Sequence, residues 1–197
     1  MVALRTEDLT PRERARIVKT AVTPRPIAWI STVSVDGVDN LAPFSSYNYV
    51  SSAQPVVMFN TPNASAGGLK DTARNAVDTG EFAVNVVTED LVSEMDRTSA
   101  GVPPEEAEFD LAEVERADCI RISPPRVAKA LITMECTLYD AIEVHDRLMV
   151  LGDVRLFHVD DGALVDGKVD SREVLTVGRL GGPHYSVSNP VEIEKLQ

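Results

Sequence analysis

Residues 24–51 read PRPIAWISTVSVDGVDNLAPFSSYNYVS, and PVVMFNTPN at 55–63 and KDTARN at 70–75 follow them. The part Ile27–Ser34 is rich in β-branched and aromatic residues, which predicts a strand. The Asp36-Gly37 pair lies between two valines and is typical of a two-residue hairpin turn. Hydroxyl and amide side chains and a Lys-Asp-Thr triplet come next. The stretch therefore combines strands with groups that bind phosphates and amides, which indicates an anionic cofactor.

Strands also dominate the rest of the chain. They are predicted at Val38–Ala42, Tyr47–Val50, Pro55–Phe59, Phe82–Val87, Ile132–Val144 and Leu148–Val159. Helices are predicted at three places: Pro11 to about Lys19 behind a Thr10/Glu13 capping box, Asp71 or Thr72 as a cap to about Asp78, and the segment after Thr88. Gly101–Asp110 contains two prolines and four acids and is predicted to be a surface loop. Because the strands do not alternate regularly with helices, the sequence predicts a mainly β fold, a β-barrel with peripheral helices, in one domain over residues 1–197.

The composition excludes some classes of partner. The 197-residue chain has a net charge of −12, from 19 Lys and Arg against 31 Asp and Glu. Nucleic acid is a poor partner for such a surface, since neutralising phosphates needs Lys and Arg. The scarcity of lysine fits a protein of a high-salt cytoplasm or an ordinary acidic bacterial or archaeal protein. There is no apolar run of about 18 residues and no apolar signal stretch at the N-terminus, so we expect no membrane span and a cytoplasmic location.

The charge is distributed unevenly along the chain. Residues 1–75 carry eight Lys and Arg and six Asp and Glu, whereas residues 76–197 carry eleven and twenty-five. An anionic ligand would therefore prefer the N-terminal part, which contains the polar run.

The cysteines and histidines give no metal or redox pattern. Cys119 and Cys136 are far apart and form no CxxC motif, which favours partly buried free thiols over a disulfide or redox pair. His145, His158 and His184 have neither HxH nor HxxxH spacing. We therefore expect no metal site.

The polar run offers the donors that a phosphate requires. Ser45 and Ser46 supply hydroxyls, Asn48 supplies an amide, and Lys70 directly precedes a predicted helix N-terminus near Thr72. Backbone N–H groups at such a terminus, together with hydroxyls and a cation, form a phosphate site. Each feature alone is also explained by loop solvation or helix capping, so the prediction depends on their occurring together.

The order of several motifs resembles a known family. PRPIAWIST, the DG turn, NLAPFSSYN, the MFN strand end, KDTARN, GEFAVNVV and the late GRLGGPHY are similar to the flavin reductase-like, FMN-binding split-barrel proteins. The resemblance covers about residues 20–188. It implies a split β-barrel that binds FMN at the interface of a homodimer. The family includes NAD(P)H:flavin oxidoreductases and flavoredoxin-like electron carriers.

The resemblance also implies which residues contact the cofactor. These are Thr32, Ala42, Pro43, Phe44, Ser45, Ser46, Asn48, Asn60, Thr61, Lys70, Asp71, Thr72, His184 and Tyr185. Among them, Ala42–Phe44 would approach the flavin ring, mainly through backbone atoms. Lys70 and Thr72 would bind the phosphate, and Tyr185 would close over the ring or over the site of the partner subunit.

One turn departs from the family pattern. Many flavin reductases of this group carry a Gly-Asp-His turn with its histidine near the nicotinamide, but here His145-Asp146-Arg147 precedes Gly152. Arg147 thus takes the histidine position. It would attract a dinucleotide phosphate or simply be a solvated turn residue.

The sequence therefore predicts an FMN-dependent oxidoreductase with NAD(P)H as cosubstrate and no identified catalytic side chain. A non-enzymatic flavin-binding electron carrier without nicotinamide docking is the alternative, and a β-barrel interaction module without cofactor is a third reading. The expected partners are a second copy of the chain, a nicotinamide dinucleotide or an electron-acceptor protein, without nucleic acid or membrane.

Overall fold

The computed structural model describes residues 1–64 and 67–193. Half of its strands belong to one antiparallel sheet. In chain order the strands are β1 (Arg25–Pro26), β2 (Ala28–Val33), β3 (Asp39–Phe44), β4 (Tyr47–Ser51), β5 (Val56–Pro62), β6 (Glu81–Val86), β7 (Arg116–Ala117), β8 (Arg126–Val127), β9 (Ile132–Val144), β10 (Arg147–Val159), β11 (Leu164–Val165), β12 (Lys168–Val169), β13 (Val177–Arg179) and β14 (Tyr185–Val187). The α-helices are α1 (Pro11–Ala21), α2 (Asp71–Thr79), α3 (Val92–Arg97) and α4 (Glu108–Leu111), and 3-10 helices occur at Thr6–Asp8, Glu89–Leu91 and Asp161–Ala163.

Seven strands form the main sheet in the order β3-β2-β6-β9-β10-β5-β4, and every neighbouring pair is antiparallel. The sheet curls, which brings Phe44 at the end of β3 against Phe59 on β5 with 5.0 Å between ring centroids. Phe82 on β6 also contacts Phe59, with 5.3 Å between centroids. β3 and β4 remain the two ends of the hydrogen-bonded order. The mainly β barrel with peripheral helices that the sequence predicts is therefore confirmed.

β2 is buried on both of its faces. Ile30 points into the barrel core with Phe59 and Val150, whereas Trp29 joins a second core with Met95 of α3 and Phe109 of α4. Side chains of consecutive strand residues point to opposite faces, so a strand covered on both sides is apolar throughout. The helices α3 and α4 thus pack on the outside of the barrel over β2 and β3.

A small sheet joins the two ends of the chain. β1 pairs with β13, and β13 pairs with β14, so that Arg25 lies opposite Arg179. Gly178 permits this pairing, because a Cβ added there would lie only 2.7 Å from Pro24 Cβ.

Local signals predicted several elements correctly. The hydroxyl of Thr10 accepts a hydrogen bond from Glu13 N, and the Glu13 carboxylate accepts one from Thr10 N at 2.9 Å. α1 begins at Pro11 as predicted and ends at Ala21. The two long strands β9 and β10 also occur as predicted. No helix of residues 1–64 and 67–193 is long and apolar enough to cross a membrane.

Other local predictions need correction. The β2–β3 turn has three residues rather than two, because Ser34 pairs with Val38 and Gly37 takes a left-handed φ of +84°. β3 continues beyond the predicted Ala42 to Phe44, since a proline at position 43 is tolerated in a strand at the end of a sheet.

The predictions for two segments near α2 and α4 are also wrong. Neither Asp71 nor Thr72 caps α2, because Asp71 is already helical and Lys70 occupies the cap position. The predicted surface loop Gly101–Asp110 ends in α4, where Glu108 is buried with only 7% of its surface exposed.

Candidate functional site

A cavity of about 560 Å³ lies between the end of β3, the start of α2 and the segment 98–102 that follows α3. We call it the β3–α2 cavity. Six predicted contact residues line it: Ala42, Pro43, Phe44, Lys70, Asp71 and Thr72. Since β3 is an end strand, its outer edge here is not paired with another strand of the sheet. The volume falls in the range of small-molecule and cofactor sites.

The N-terminus of α2 opens into this cavity without a side-chain cap. The first N–H groups of a helix have no partner within the helix, and no side chain among the described residues caps this end. Asp71 pairs with Arg74 in the first turn. Lys70 is exposed and forms no ion pair within the described residues. Together these features offer backbone N–H groups and an ammonium group to an anion.

A buried polar network lies beneath the cavity. Asn40 Oδ1 accepts hydrogen bonds from Thr72 Oγ1 at 2.6 Å and from Thr32 Oγ1 at 3.3 Å, and Asn75 Nδ2 donates to Thr32 Oγ1 at 3.2 Å. The hydroxyl hydrogen of Thr72 is therefore already donated within the protein. Thr32 is fully buried, so it supports Asn40 rather than reaching the cavity.

Glu108 of α4 completes this network and also lines the β3–α2 cavity. Its carboxylate accepts two hydrogen bonds from Asn40 Nδ2 and one from Leu41 N, all at 2.9 Å. Burial raises the pKa of Glu108, and nearby Asp71 adds to the increase, while the hydrogen bonds from Leu41 and Asn40 oppose it. The carboxylate thus pairs the outer N–H of β3 and fixes α4 against the strand.

Sequence reasoning missed Glu108. It is one of four acids in a Pro-containing segment, which is typical of a solvated loop. The available signal was the aromatic Phe109 among the acids of this segment, directly after Glu108. Phe109 is fully buried in the core over β2.

A second cavity of about 340 Å³ adjoins the first and shares Pro43 and Ser99 with it. We call it the arginine cavity, because Arg25 and Arg179 line it together with Lys19. Two further predicted contact residues, Ser45 and Tyr185, also belong to its wall.

Tyr185 is held in place by charged neighbours. Its hydroxyl donates to Asp96 Oδ1 at 2.6 Å and accepts a hydrogen bond from Arg179 Nη1. The Arg179 guanidinium also lies 4.5 Å from the centroid of the Tyr185 ring. Burial, followed by the hydrogen bond to Asp96, raises the pKa of Tyr185. The ring is thus fixed at the wall between β13–β14 and α3.

Besides Thr32, five predicted contact residues line neither cavity. Ser46, Asn48 and His184 are exposed. Asn60 lies on β5 and accepts a hydrogen bond from Arg147 Nη1 at 3.4 Å. Thr61 is buried, and its hydroxyl donates to the carbonyl of Pro62 at 3.1 Å.

Cys119, Glu135 and His158 meet near the start of β9 and the end of β10, with their ligand atoms within 4.8 Å of one another. Glu135 is fully buried and accepts hydrogen bonds from Ile120 N, Arg121 N and His158 Nε2 at 2.5–2.7 Å. Burial would raise the pKa of Glu135, but these hydrogen bonds outweigh burial and lower it. The carboxylate therefore fastens the segment 120–121 to the sheet.

With the geometry in place, comparison with known proteins identifies the family. A family model described as "Flavin reductase like domain" matches residues 20–173. The chain belongs to the flavin reductase-like family. Its barrel is the split barrel of that family.

Relatives match this flavin reductase-like chain over most of its length. An uncharacterized protein of Aquifex aeolicus (strain VF5) is 38% identical over 171 residues, which is 86% of this chain and 87% of that protein. The crystal structure of nitrilotriacetate monooxygenase component B from Bacillus cereus has a TM-score of 0.91 and 30% identity, covering 100% of this chain and 98% of that chain. Pseudomonas fluorescens 2-nitrobenzoate 2-nitroreductase NbaA has a TM-score of 0.89 and 25% identity, covering 100% and 96%.

The residues of the β3–α2 cavity fit the flavin that the family implies. A phosphorylated ligand requires an anion site, and the uncapped end of α2 with Lys70 provides one. A flat ring requires an accessible backbone edge or an apolar surface, and Ala42–Phe44 on the end strand provide both.

We predict that Glu108→Ala destabilises this flavin reductase-like chain by about 2–3 kcal/mol, because it leaves Leu41 N and Asn40 Nδ2 buried without acceptors. Urea unfolding measures the difference. Glu106→Ala is the control, since Glu106 is an exposed acid of the same segment. Equal stability of the two variants would show that the Glu108 hydrogen bonds contribute little.

Proposed function

We propose that this protein binds FMN and acts as an oxidoreductase that takes electrons from NAD(P)H and passes them to a flavin or another acceptor. The observation that carries the proposal is the uncapped start of α2, which opens with Lys70 into the β3–α2 cavity. The opposite wall of that cavity is the end of β3, whose outer edge has no neighbouring strand in the sheet.

In this proposal the two ends of the cavity have different roles. Lys70 and the first N–H groups of α2 bind the FMN phosphate, and Ala42–Phe44 support the flavin ring. The segment 98–102 forms part of the wall. A bound flavin supplies the hydride and electron transfer itself, so the chain has to bind, orient and shield it without a dedicated acid or base.

The relatives favour an enzyme over an electron carrier. The two solved structures described above are named as a monooxygenase component and a nitroreductase. Both names describe redox enzymes, and both folds cover this chain completely.

Anaerobic mixing tests the function directly. The chain loaded with FMN is mixed with NADH or with NADPH while the visible absorbance of the flavin is followed. We expect bleaching at catalytic rates with at least one of them. Reduction by dithionite alone would indicate the electron carrier, and a chain that binds no added FMN would contradict both flavin functions.

Replacing Lys70 tests the phosphate end of the site. We predict that Lys70→Ala weakens FMN binding about tenfold and riboflavin binding much less, because only FMN carries the phosphate. Quenching of flavin fluorescence gives both dissociation constants. Lys168→Ala removes an exposed lysine from β12 and serves as the control. Equal losses for FMN and riboflavin would rule out the phosphate role of Lys70.

We also propose that the chain forms a homodimer with the flavin site at its interface. Ser46, Asn48 and Asn60 line neither cavity of their own chain, and β4 beside them is an end strand with Tyr49 69% and Val50 54% exposed. A second copy would cover these apolar side chains and bring the polar ones to the neighbouring site. Light scattering should give about twice the 21.4 kDa of one chain. A monomer that retains flavin tightly would contradict this assembly.

A further inference from the structure

Two arginines from distant parts of the chain are held side by side in the arginine cavity. Arg25 on β1 is the direct cross-strand partner of Arg179 on β13. Side chains of such a pair lie on the same face of the sheet, and like charges in this position are destabilising. The close pairing of the two strands depends on Gly178, which leaves room for Pro24.

The protein's own carboxylates neutralise this pair only in part. Within the described residues Arg25 forms no ion pair, and its Nη1 donates to the carbonyls of Lys19 and Val22 at the end of α1. Arg179 forms one long ion pair with Asp96, whose Oδ1 lies 3.9 Å from Nη1 and also accepts a hydrogen bond from the Tyr185 hydroxyl. The cavity thus keeps an excess of positive charge.

This excess of positive charge contrasts with the acidity of the whole chain and is accompanied by a shift in the pKa of Arg25. The chain has a net charge of −12, yet Lys19, Arg25 and Arg179 share one cavity in which Asp96 is the only acid among the described residues. Burial, and then repulsion by Arg179, lowers the pKa of Arg25. A bound anion would relieve this repulsion, and a guanidinium fork matches the geometry of a carboxylate or phosphate.

The position of the arginine cavity connects it to electron transfer. Pro43 and Ser99 line both this cavity and the β3–α2 cavity, so the wall that supports the flavin ring in the proposed function is also a wall of the arginine cavity. A ligand anchored by Arg25 and Arg179 would therefore extend toward the ring end of the flavin site, opposite Lys70.

We propose that the arginine cavity binds the oxyanion, phosphate or carboxylate, of the molecule that exchanges electrons at the β3–α2 cavity. This assignment rests on the proposed function for the identity of the site it serves. Arg147, whose sequence position suggests contact with a dinucleotide phosphate, lies instead on β10 beside Asn60 and lines neither cavity.

Titration calorimetry on the FMN-loaded chain tests the proposal with redox-inert probes. ADP-ribose carries the phosphates of a nicotinamide dinucleotide, and benzoate carries the carboxylate of a small aromatic acceptor. We expect Arg25→Gln to weaken binding of at least one probe tenfold or more. Arg25→Lys, which keeps the charge, should recover part of the loss. Arg12→Gln is the matched control, because it removes an exposed arginine of α1 that lines neither cavity.

The two probes identify the source of the oxyanion. If Arg25→Gln weakens the binding of ADP-ribose alone, the cavity serves the electron donor. If it weakens the binding of benzoate alone, the cavity serves a carboxylate acceptor. The proposal is overturned if neither probe binds the unmodified chain, or if Arg25→Gln binds both as well as the Arg12→Gln control does. Circular dichroism confirms that each variant is folded.

The same titration without added flavin separates this proposal from the proposed function. A chain that binds no FMN, but binds a probe in an Arg25-dependent way, would reject the flavin function and retain the anion site. A chain that binds FMN and is reduced by NAD(P)H, but shows no Arg25-dependent probe binding, would reject the anion site alone.

Discussion

The side-chain amide of Asn40 is the point at which four elements of this fold are joined. Its oxygen accepts from Thr32 on β2 and Thr72 on α2, and its nitrogen donates to Glu108 on α4. All of these groups are buried, where an unpaired polar atom would cost about 1–3 kcal/mol. The network therefore fixes the positions of α2 and α4 relative to the end strand β3, and with them the walls of the β3–α2 cavity.

This constraint leaves the groups that face the cavity available. Among the N–H groups of β3, only that of Leu41 donates a hydrogen bond to Glu108 within the described residues. The outer edge of this end strand at Ala42–Phe44 therefore faces the cavity. α1 satisfies its own N-terminus with a capping box, whereas no side chain in residues 1–64 and 67–193 caps α2. An uncapped helix end is a small loss for stability and a gain for anion binding. A similar trade-off occurs in the arginine cavity, where Arg25 lies opposite Arg179 and, within the described residues, only Arg179 has a carboxylate partner, Asp96 at 3.9 Å.

Much of the fold could be predicted because its signals are local. The Thr10–Glu13 capping box and the β9 and β10 strands depend on residues close in sequence, and each occurs as predicted. Predictions failed where a distant contact overrides the local pattern. Glu108 lies in a segment with the composition of a loop, but hydrogen bonds to Asn40 and Leu41 bury it.

The candidate site shows the same division. The sequence by itself determined the barrel and the family, because strand periodicity and ordered motifs are written in consecutive residues, and it predicted Lys70 as a phosphate donor. Only the tertiary structure decided that Thr72 donates its hydroxyl hydrogen to Asn40, and that Arg25 meets Arg179. It also brought Cys119, Glu135 and His158 together, although their spacing shows no metal motif. These contacts join residues that are far apart in the chain. They are determined by strand register and packing, which no local sequence pattern contains.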